Sequence, residues 1–445
     1  LGKKGILLVK LCRIATAIAL GSVTTLATPV MTHAQPLENA LSRLLIEHPQ
    51  IREAQKNFQA ERIGVDVAKS GFFPTVNITS ETGPERIDTP TTRAAGKTSQ
   101  ERKTTTSLTV TQNLFDGFSS SSGVRSAQIN AEISRLTLEG TLQGTLFSGV
   151  SAYINVLRQK RLLELARENE SRIQTQLNLE DERVQRGSGV AVDVLQAKSR
   201  LQLAKERRVS IEGDLQDSIS RFIQVFDYAP DIEQMQDPNP PVEALPISLE
   251  LGIETGIAEN PATRNAAATI EVAREQQRTE KSALYPSVDL VGEANYEDNN
   301  NATVGIRRDM SVVLRAEWDV FTGFSTRNQI KQSAFEYRSS KDNQIFVRRQ
   351  VEEQVRVAWQ ALITSRERLQ LLENAVNIAA EVFESRKKLR EAGKETVINV
   401  LDSENEVNNA QVNYTSAAYD ERLAAYQLLQ AIGRLNAANL GLDQQ

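Results

Sequence analysis

Cysteine is nearly absent. Cys12 is the only one in 445 residues, and histidine occurs only as His33 and His48. Zinc, haem, iron–sulfur and thiol chemistry therefore lack their usual ligands, and no disulfide framework is expected. Long apolar runs are also missing. Charged residues make up 24% of the chain and mean hydropathy is −0.37, which excludes a bundle of membrane-spanning helices. There is no phosphate-binding glycine loop and no nucleophile elbow, so no catalytic centre is expected. The serines at 119–122 mark a helix start. A basic surface is lacking too. The formal charge of −5 becomes about −9 once Lys3, Lys4, Lys10 and Arg13 are removed with the leader described next, which argues against a nucleic-acid partner.

Those four cations precede an apolar, small-residue stretch from Ile14 to Val30, and Thr32-His33-Ala34 offers a cleavage position. This order reads as an export signal over residues 1–34. Cys12 lies before the apolar stretch, where a lipid-attachment cysteine would not be, so no lipid anchor is expected.

What is present is a duplication. Residues 183–209 (RVQRGSGVAVDVLQAKSRLQLAKERRV) align with 389–415 (LREAGKETVINVLDSENEVNNAQVNYT) at an offset of 206. Gly187 falls on Gly393 and Asp193 on Asn399. Each copy reads as a long helix that breaks at a glycine and returns. Positions 194, 197, 201, 204, 208, 211, 215, 218, 222 and 225 follow a 3-4 spacing and are apolar in eight of ten cases. The same frame plus 206 again gives eight of ten. A spacing held this long is a coiled-coil seam, or the seam of an ordinary helical bundle.

In chain order, residues 35–226 form the first repeat. A helix spans Leu37 to Ser70 and ends at Phe72-Phe73-Pro74. Thr75 to Thr82 and Thr104 to Phe115 alternate as strands, with a polar loop at 83–103 between them. Asp116-Gly117 closes this hairpin (74–115). A helical run of 68 residues, about 100 Å long, then reaches Arg186. After the tip at 186–190 the return helix runs from Val190 to Phe226. Residues 227–246 carry five prolines and form a linker. The second repeat, 247–433, has a helix from Ile247 to Ser282 and a strand hairpin at 286–321 with its loop at 297–309. A long run to Ala392, a tip at 392–396 and a return to Gly433 complete it, and 434–445 is a tail. Leu284-Tyr285-Pro286 matches Phe72-Phe73-Pro74 at an offset of 212, as Glu259-Asn260-Pro261 matches Glu47-His48-Pro49. Phe321-Thr322-Gly323-Phe324 matches Phe115-Asp116-Gly117-Phe118 at 206.

The strands are apolar on one face and carry Asp289, Glu293, Arg315, Glu317 and Asp319 on the other. This suits a transmembrane barrel with a wet interior, or a half-buried soluble sheet. Four strands are too few for a membrane barrel, and open edges cannot face lipid, so several chains would share one barrel. Helix lengths add a constraint. A return helix of about 37 residues stacked on the shorter one before a proline switch matches the long run. A long helical tube follows, with strands at one end, glycine turns at the other and the linker on the waist.

The proline switches, the NLFDGF and DVFTGF strand exits, and the RGSGVAVDVLQA and EAGKETVINVLDS turns together resemble the TolC family of trimeric outer-membrane channel proteins. The resemblance covers essentially the whole mature chain. It implies a mainly α fold with membrane β: a coiled-coil α-barrel and a shared twelve-stranded β-barrel, formed by a homotrimer in outer-membrane lipid. It also implies an exit duct for an inner-membrane pump of the ABC, RND or MFS type, joined by a periplasmic adaptor, with no cofactor. Pro74, Pro286, Phe115, Gly117, Phe321 and Gly323 would form the membrane-end turns. Arg186, Gly187, Ser188, Gly189 and Val190, with Gly393 and Lys394, would form the tips where the adaptor docks. A gate in the second hairpin would fall on Asn399 and Asp402, and three Asp402 carboxylates round one axis would repel one another. Glu395 stands where the family's latch has an arginine, opposite the acidic Asp193, so Arg390 or Lys394 would have to substitute. The competing reading is a periplasmic coiled-coil adaptor, which would usually have one hairpin.

Overall fold

The computed structural model describes residues 36–94, 99–187 and 190–442. The export segment expected at 1–34, and Ser188 and Gly189 at the first tip, lie outside the described residues. The chain begins with α1 (Leu37–Glu47) and α2 (Pro49–Lys69). The continuous helix expected from Leu37 to Ser70 is interrupted at His48, where Pro49 lacks the N–H an interior position needs but suits a first turn. His48 Nδ1 accepts from Gln50 N at 3.3 Å as the cap. The second copy breaks at the matching place. There α6 (Leu249–Glu259) gives way to α7 (Pro261–Ser282), and Asn260 Oδ1 accepts from Ala262 N at 2.9 Å.

Four strands form one antiparallel meander: β1 (Thr75–Ile87), β2 (Ser99–Phe115), β3 (Ser287–Asp298) and β4 (Ile306–Glu317). The polar loop expected at 83–103 is strand at both ends, 83–87 in β1 and 99–103 in β2, and among the described residues between them lies a short helix, α3 (Pro90–Ala94). Hydroxyl pairs in the expected strands lead into this extension, and within it Lys103 stands 4.0 Å from Glu85. Ser80 bonds Thr106 and Thr82 bonds Thr104, each at 3.0 Å between hydroxyls. Pro84 lies near the end of β1, which is an edge of the sheet within one chain. The loop expected at 297–309 shrinks to 299–305 in the same way, and β4 stops at Glu317, leaving Trp318 to Phe321 outside the strand.

Register aligns the apolar residues on one face. Val76, Val110, Gly292 and Val312 form one row, and Ile78, Leu108, Ala294 and Met310 the next. Val76, Ile78, Met310 and Val312 are all largely exposed. The opposite face is a polar network: Asn113 bonds Asp289 at 3.0 Å, Asn295 bonds Asp309 at 3.0 Å, and Arg315 pairs with Glu293 at 3.4 Å.

Two 67-residue helices, α4 (Ser119–Gln185) and α8 (Ser325–Glu391), run about 100 Å from the sheet. Each has a return helix: α5 (Ala191–Phe226) beside α4, and α9 (Val397–Ala431) beside α8. Helix α2 covers the upper part of α4 and α5 the lower, so two short helices keep pace with one long one; α7 and α9 do the same for α8. The seam of α5 buries Val194, Ala197, Leu201, Ala204, Ile211, Leu215, Ser218 and Phe222. These are eight of the ten seam positions. Arg208 instead binds Glu170 at 2.7 Å, and Phe226 is buried in place of Val225.

The main core lies at the waist. Leu428, Leu429, Ile432 and Leu435 are fully buried there. Residues 434–442 are therefore part of the body: Arg434 grips Glu259 at 2.7 Å, and Gly433 turns at φ +82° against the Asn260 backbone. The linker is stitched to the same place. Tyr153 Oη donates to Gln236 O at 3.1 Å and accepts from Gln236 N at 3.0 Å, and Tyr419 donates to Asp237 at 2.9 Å.

Candidate functional site

The two hairpin tips are built alike. Gly187 (φ +76°) and Gly393 (φ +72°) adopt the left-handed conformation that ends a helix, donating to Val184 O and Arg390 O at 3.0 Å. In the second tip Lys394 N also reaches Leu389 O at 2.9 Å, and Thr396 caps α9 by accepting from Asn399 N. Around these turns Val190, Val192, Leu195, Leu389 and Ile398 remain exposed, an apolar surface on otherwise polar helices.

Just behind the tips the hairpins lean on each other. Ile173 and Leu177 from α4 and Val194, Ala197, Leu201 and Ala204 from α5 pack with Val397 and Leu401 of α9. The rest of this seam is ionic. Glu180 on α4 is wholly buried and receives three donors: Arg183 at 2.7 Å, Gln176 at 3.0 Å and Arg390 of α8 at 3.2 Å. Arg390 also stands 3.9 Å from Asp193 and donates to Glu395 O at 3.2 Å. Of the two substitutes expected for the missing arginine, Arg390 meets Asp193, while Lys394 makes no ion pair among the described residues.

Glu395 does not face Asp193 as a bare acid. Its carboxylate accepts from Asn399 Nδ2 at 2.5 Å and Thr396 N at 2.9 Å, and the Asn399 bond, then the Thr396 bond, hold it below the usual carboxylate range. Asp402 is paired as well, with Arg200 across the hairpins. Further from the tip, Arg172 of α4 binds Glu404 of α9 at 3.2 Å.

Sequence reasoning missed Glu180, Arg200, Arg172 and Glu404. Two of them carried a signal. Ile173, Leu177, Glu180 and Val184 follow a 4-3-4 spacing, as do Val397, Leu401, Glu404 and Asn408. An acid in such a frame must be buried against a cation.

At the other end, Pro74 and Pro286 sit at the mouths of β1 and β3. Phe115 stacks edge-on against Phe118 at 5.5 Å, and Phe321 repeats this with Phe324 at 5.5 Å. Gly117 (φ +67°) fits so tightly that a Cβ would lie 2.5 Å from Ser282 O and 3.0 Å from Tyr285. Gly323 (φ +62°) has the same turn and nothing within 4 Å.

Among the described residues no group of His, Cys, Asp and Glu could hold a metal, and no helix is long and apolar enough to cross a membrane. Buried charge thus sits where the two hairpins meet.

Comparison with known proteins finds relatives over nearly the whole chain. The chain is 24% identical over 437 residues to the outer membrane efflux protein BepC of Brucella suis, covering 98% of this chain and 93% of that one. It is 25% identical to the outer membrane protein TolC of Vibrio cholerae, covering 96% of each. It is 23% identical to the alkaline protease secretion protein AprF of Pseudomonas aeruginosa, covering 88% of this chain and 83% of that one. A crystal structure of CusC superposes with a TM-score of 0.80 at 13% identity, covering 89% and 91% of the two chains. The open-state MtrE channel of Neisseria gonorrhoeae gives 0.77 at 16%, covering 92% and 90%. The outer membrane efflux protein family matches residues 40–225 and 253–434, both repeats, which sets aside the single-hairpin adaptor. The chain belongs to that family and is a TolC-family outer-membrane efflux or secretion channel, a transporter and not an enzyme.

Proposed function

We propose that three copies of this chain close one twelve-stranded barrel in the outer membrane and one helical tunnel beneath it, forming a passive exit duct. The observation that carries this reading is the unequal environment of two equivalent turns. Gly117 and Phe118 lie against Ser282 and Tyr285 of their own chain, with Phe118 and Tyr285 rings 6.3 Å apart. The equivalent Gly323 has nothing within 4 Å, and Phe324 meets Phe321 of its own turn but, among the described residues, no ring in the place of Tyr285, while Ser70 and Phe73, which match Ser282 and Tyr285 at the offset of 212, are exposed at the other side of the chain. A neighbouring copy that offers Ser70 and Phe73 to Gly323 and Phe324 repeats the contact the chain already makes internally. The same step joins edge β4 of one copy to edge β1 of the next and leaves no open edge for lipid.

The apolar rows on the sheet then face lipid, and the Asp289, Glu293 and Arg315 face lines the wet interior. The hairpin tips form the closed end, with Arg390–Glu180 as latch and Asp402 and Asn399 beside the pore. Their glycine turns and exposed Val190 suit docking of a periplasmic adaptor that links the duct to an inner-membrane pump. Energy and cargo choice belong to that pump: one relative is named for efflux and another for protease secretion.

Purified mature protein in mild detergent with lipid tests the reading. It should migrate as a heat-modifiable trimer and insert conducting pores into planar bilayers. A protein that stays monomeric and has no affinity for a bilayer defeats it.

A further inference from the structure

Glu404 and its surroundings form a second joint between the hairpins that the latch at the tips does not include. Helix α4 offers Arg172, itself 3.8 Å from Glu168, and helix α9 offers Glu404, only 8% exposed. Beside this pair lies a cavity of about 300 Å³ between α4, α5 and α9. Asn169 and Asn408 line it, 7% and 3% exposed, and the side-chain oxygen of each is buried without a hydrogen-bond partner. Buried amide oxygens of this kind are satisfied by water, and the cavity has room for several molecules. Arg200, Glu206 and Arg207 of α5 also line it, the charge of Lys387 of α8 acts on Glu404, and Asp402 lies two residues away. Solvent protons therefore have a polar route to a buried carboxylate where the two hairpins meet.

We propose that Glu404 is a proton-binding site that tightens the joint between the two hairpins when protonated and loosens it when ionised. This rests on the reading of the tips as the closed end of the duct. Burial pushes the Glu404 carboxyl above its usual range, against the opposing pull of Arg172 and Lys387. Once the hairpins part, Glu404 meets water and returns to an ordinary carboxylate. The closed joint thus holds the proton more tightly than the open one, and by linkage protons favour the closed joint. Protonation gives up the Arg172 pair but relieves the closed joint of a carboxylate charge that is only 8% exposed. The stabilisation is complete below the ordinary carboxylate range and fades as pH rises through the raised value. Each unit between closed and open values changes the closed-to-open ratio about tenfold.

The test records currents from reconstituted trimers in planar bilayers while the pH on the tip side is stepped from about 5 to about 8. Wild type should open more as pH rises. Glu404→Gln, a neutral mimic of the protonated acid, should remain at the low-pH level throughout. Arg172→Gln should move the rise to higher pH, because the cation that favours ionisation is gone. Parallel profiles for wild type and Glu404→Gln overturn the proposal, as does a downward shift in Arg172→Gln. If Glu404→Gln fails to assemble, the direction of the Arg172→Gln shift decides alone. A wild-type protein that forms no pores refutes the duct reading itself, whereas pores that respond to tip substitutions but not to Glu404→Gln refute only this proposal.

Discussion

Arg390 and Glu180, 210 residues apart in sequence, meet at 3.2 Å and tie the second hairpin to a wholly buried carboxylate on the first. Glu180 keeps Arg183 and Gln176 when Arg390 is lost, so Arg390→Ala should cost about 1–3 kcal/mol at the joint. The expected result is a higher open probability in single-channel recordings, by roughly tenfold. Glu180→Gln should act in the same direction.

Asp402 and Arg200 form an exposed pair, so their mutual stabilisation is below about 1 kcal/mol and falls with salt. In the proposed duct the pair would act on ions near the pore. Asp402→Ala should reduce cation block and raise open conductance, whereas Arg200→Ala, which leaves the carboxylate bare, should strengthen the block. Unchanged block in both variants removes this pair from the pore.

Gly117→Ala and Gly323→Ala should differ although the turns match. Both incur a left-handed cost of about 1–2 kcal/mol, but alanine at 117 also collides with Ser282 O in its own chain. Gly117→Ala should lower the thermal stability of the chain itself. Gly323→Ala should spare that and weaken trimer assembly. Cysteines placed at Phe73 and Phe324 should cross-link copies into a ladder ending at the trimer on a denaturing gel.

The waist should yield to alkali. Tyr153 is pushed up to about 12, chiefly by burial, and burial raises Tyr419 and Tyr426 too. A group whose folded value is raised stabilises fully below its unfolded value of about 10 and loses that contribution as pH climbs through the folded one. Absorbance titration of tyrosinate should therefore lag a denatured control between about pH 10 and about pH 12, with melting temperature falling over the same window.

Gly187 and Gly393 have open space around them, so a bulky residue there is strained by backbone conformation and not by collision. Gly187→Val and Gly393→Val should leave the proposed trimer and barrel intact and diminish co-purification of the adaptor proposed to dock at the tips.

Much of this molecule was legible because its elements are periodic. The seam of α5, the alternating strand faces and the turns at Gly187 and Gly393 are properties of spacing, which a sequence displays directly. The misreadings came where local signals conflict. Pro84 inside a polar stretch looked like a loop, yet it lies near the end of β1, an edge of the sheet within one chain, and which strand is an edge depends on the whole sheet. Pro49 and Pro261 broke helices that were expected to continue, because a proline at a first turn and a proline in an interior look alike until the cap residue is placed.

The sequence by itself determined the duplicated plan, the lengths of the rods, the faces of the strands and where the chain turns, since each depends on residues near one another in the chain. Only the tertiary structure decided which charges meet. Arg390 with Glu180, Arg200 with Asp402 and Arg172 with Glu404 are each separated by about two hundred residues. Their pairing depends on how one hairpin is rotated against the other, which is a property of packing and leaves no fixed spacing in the chain.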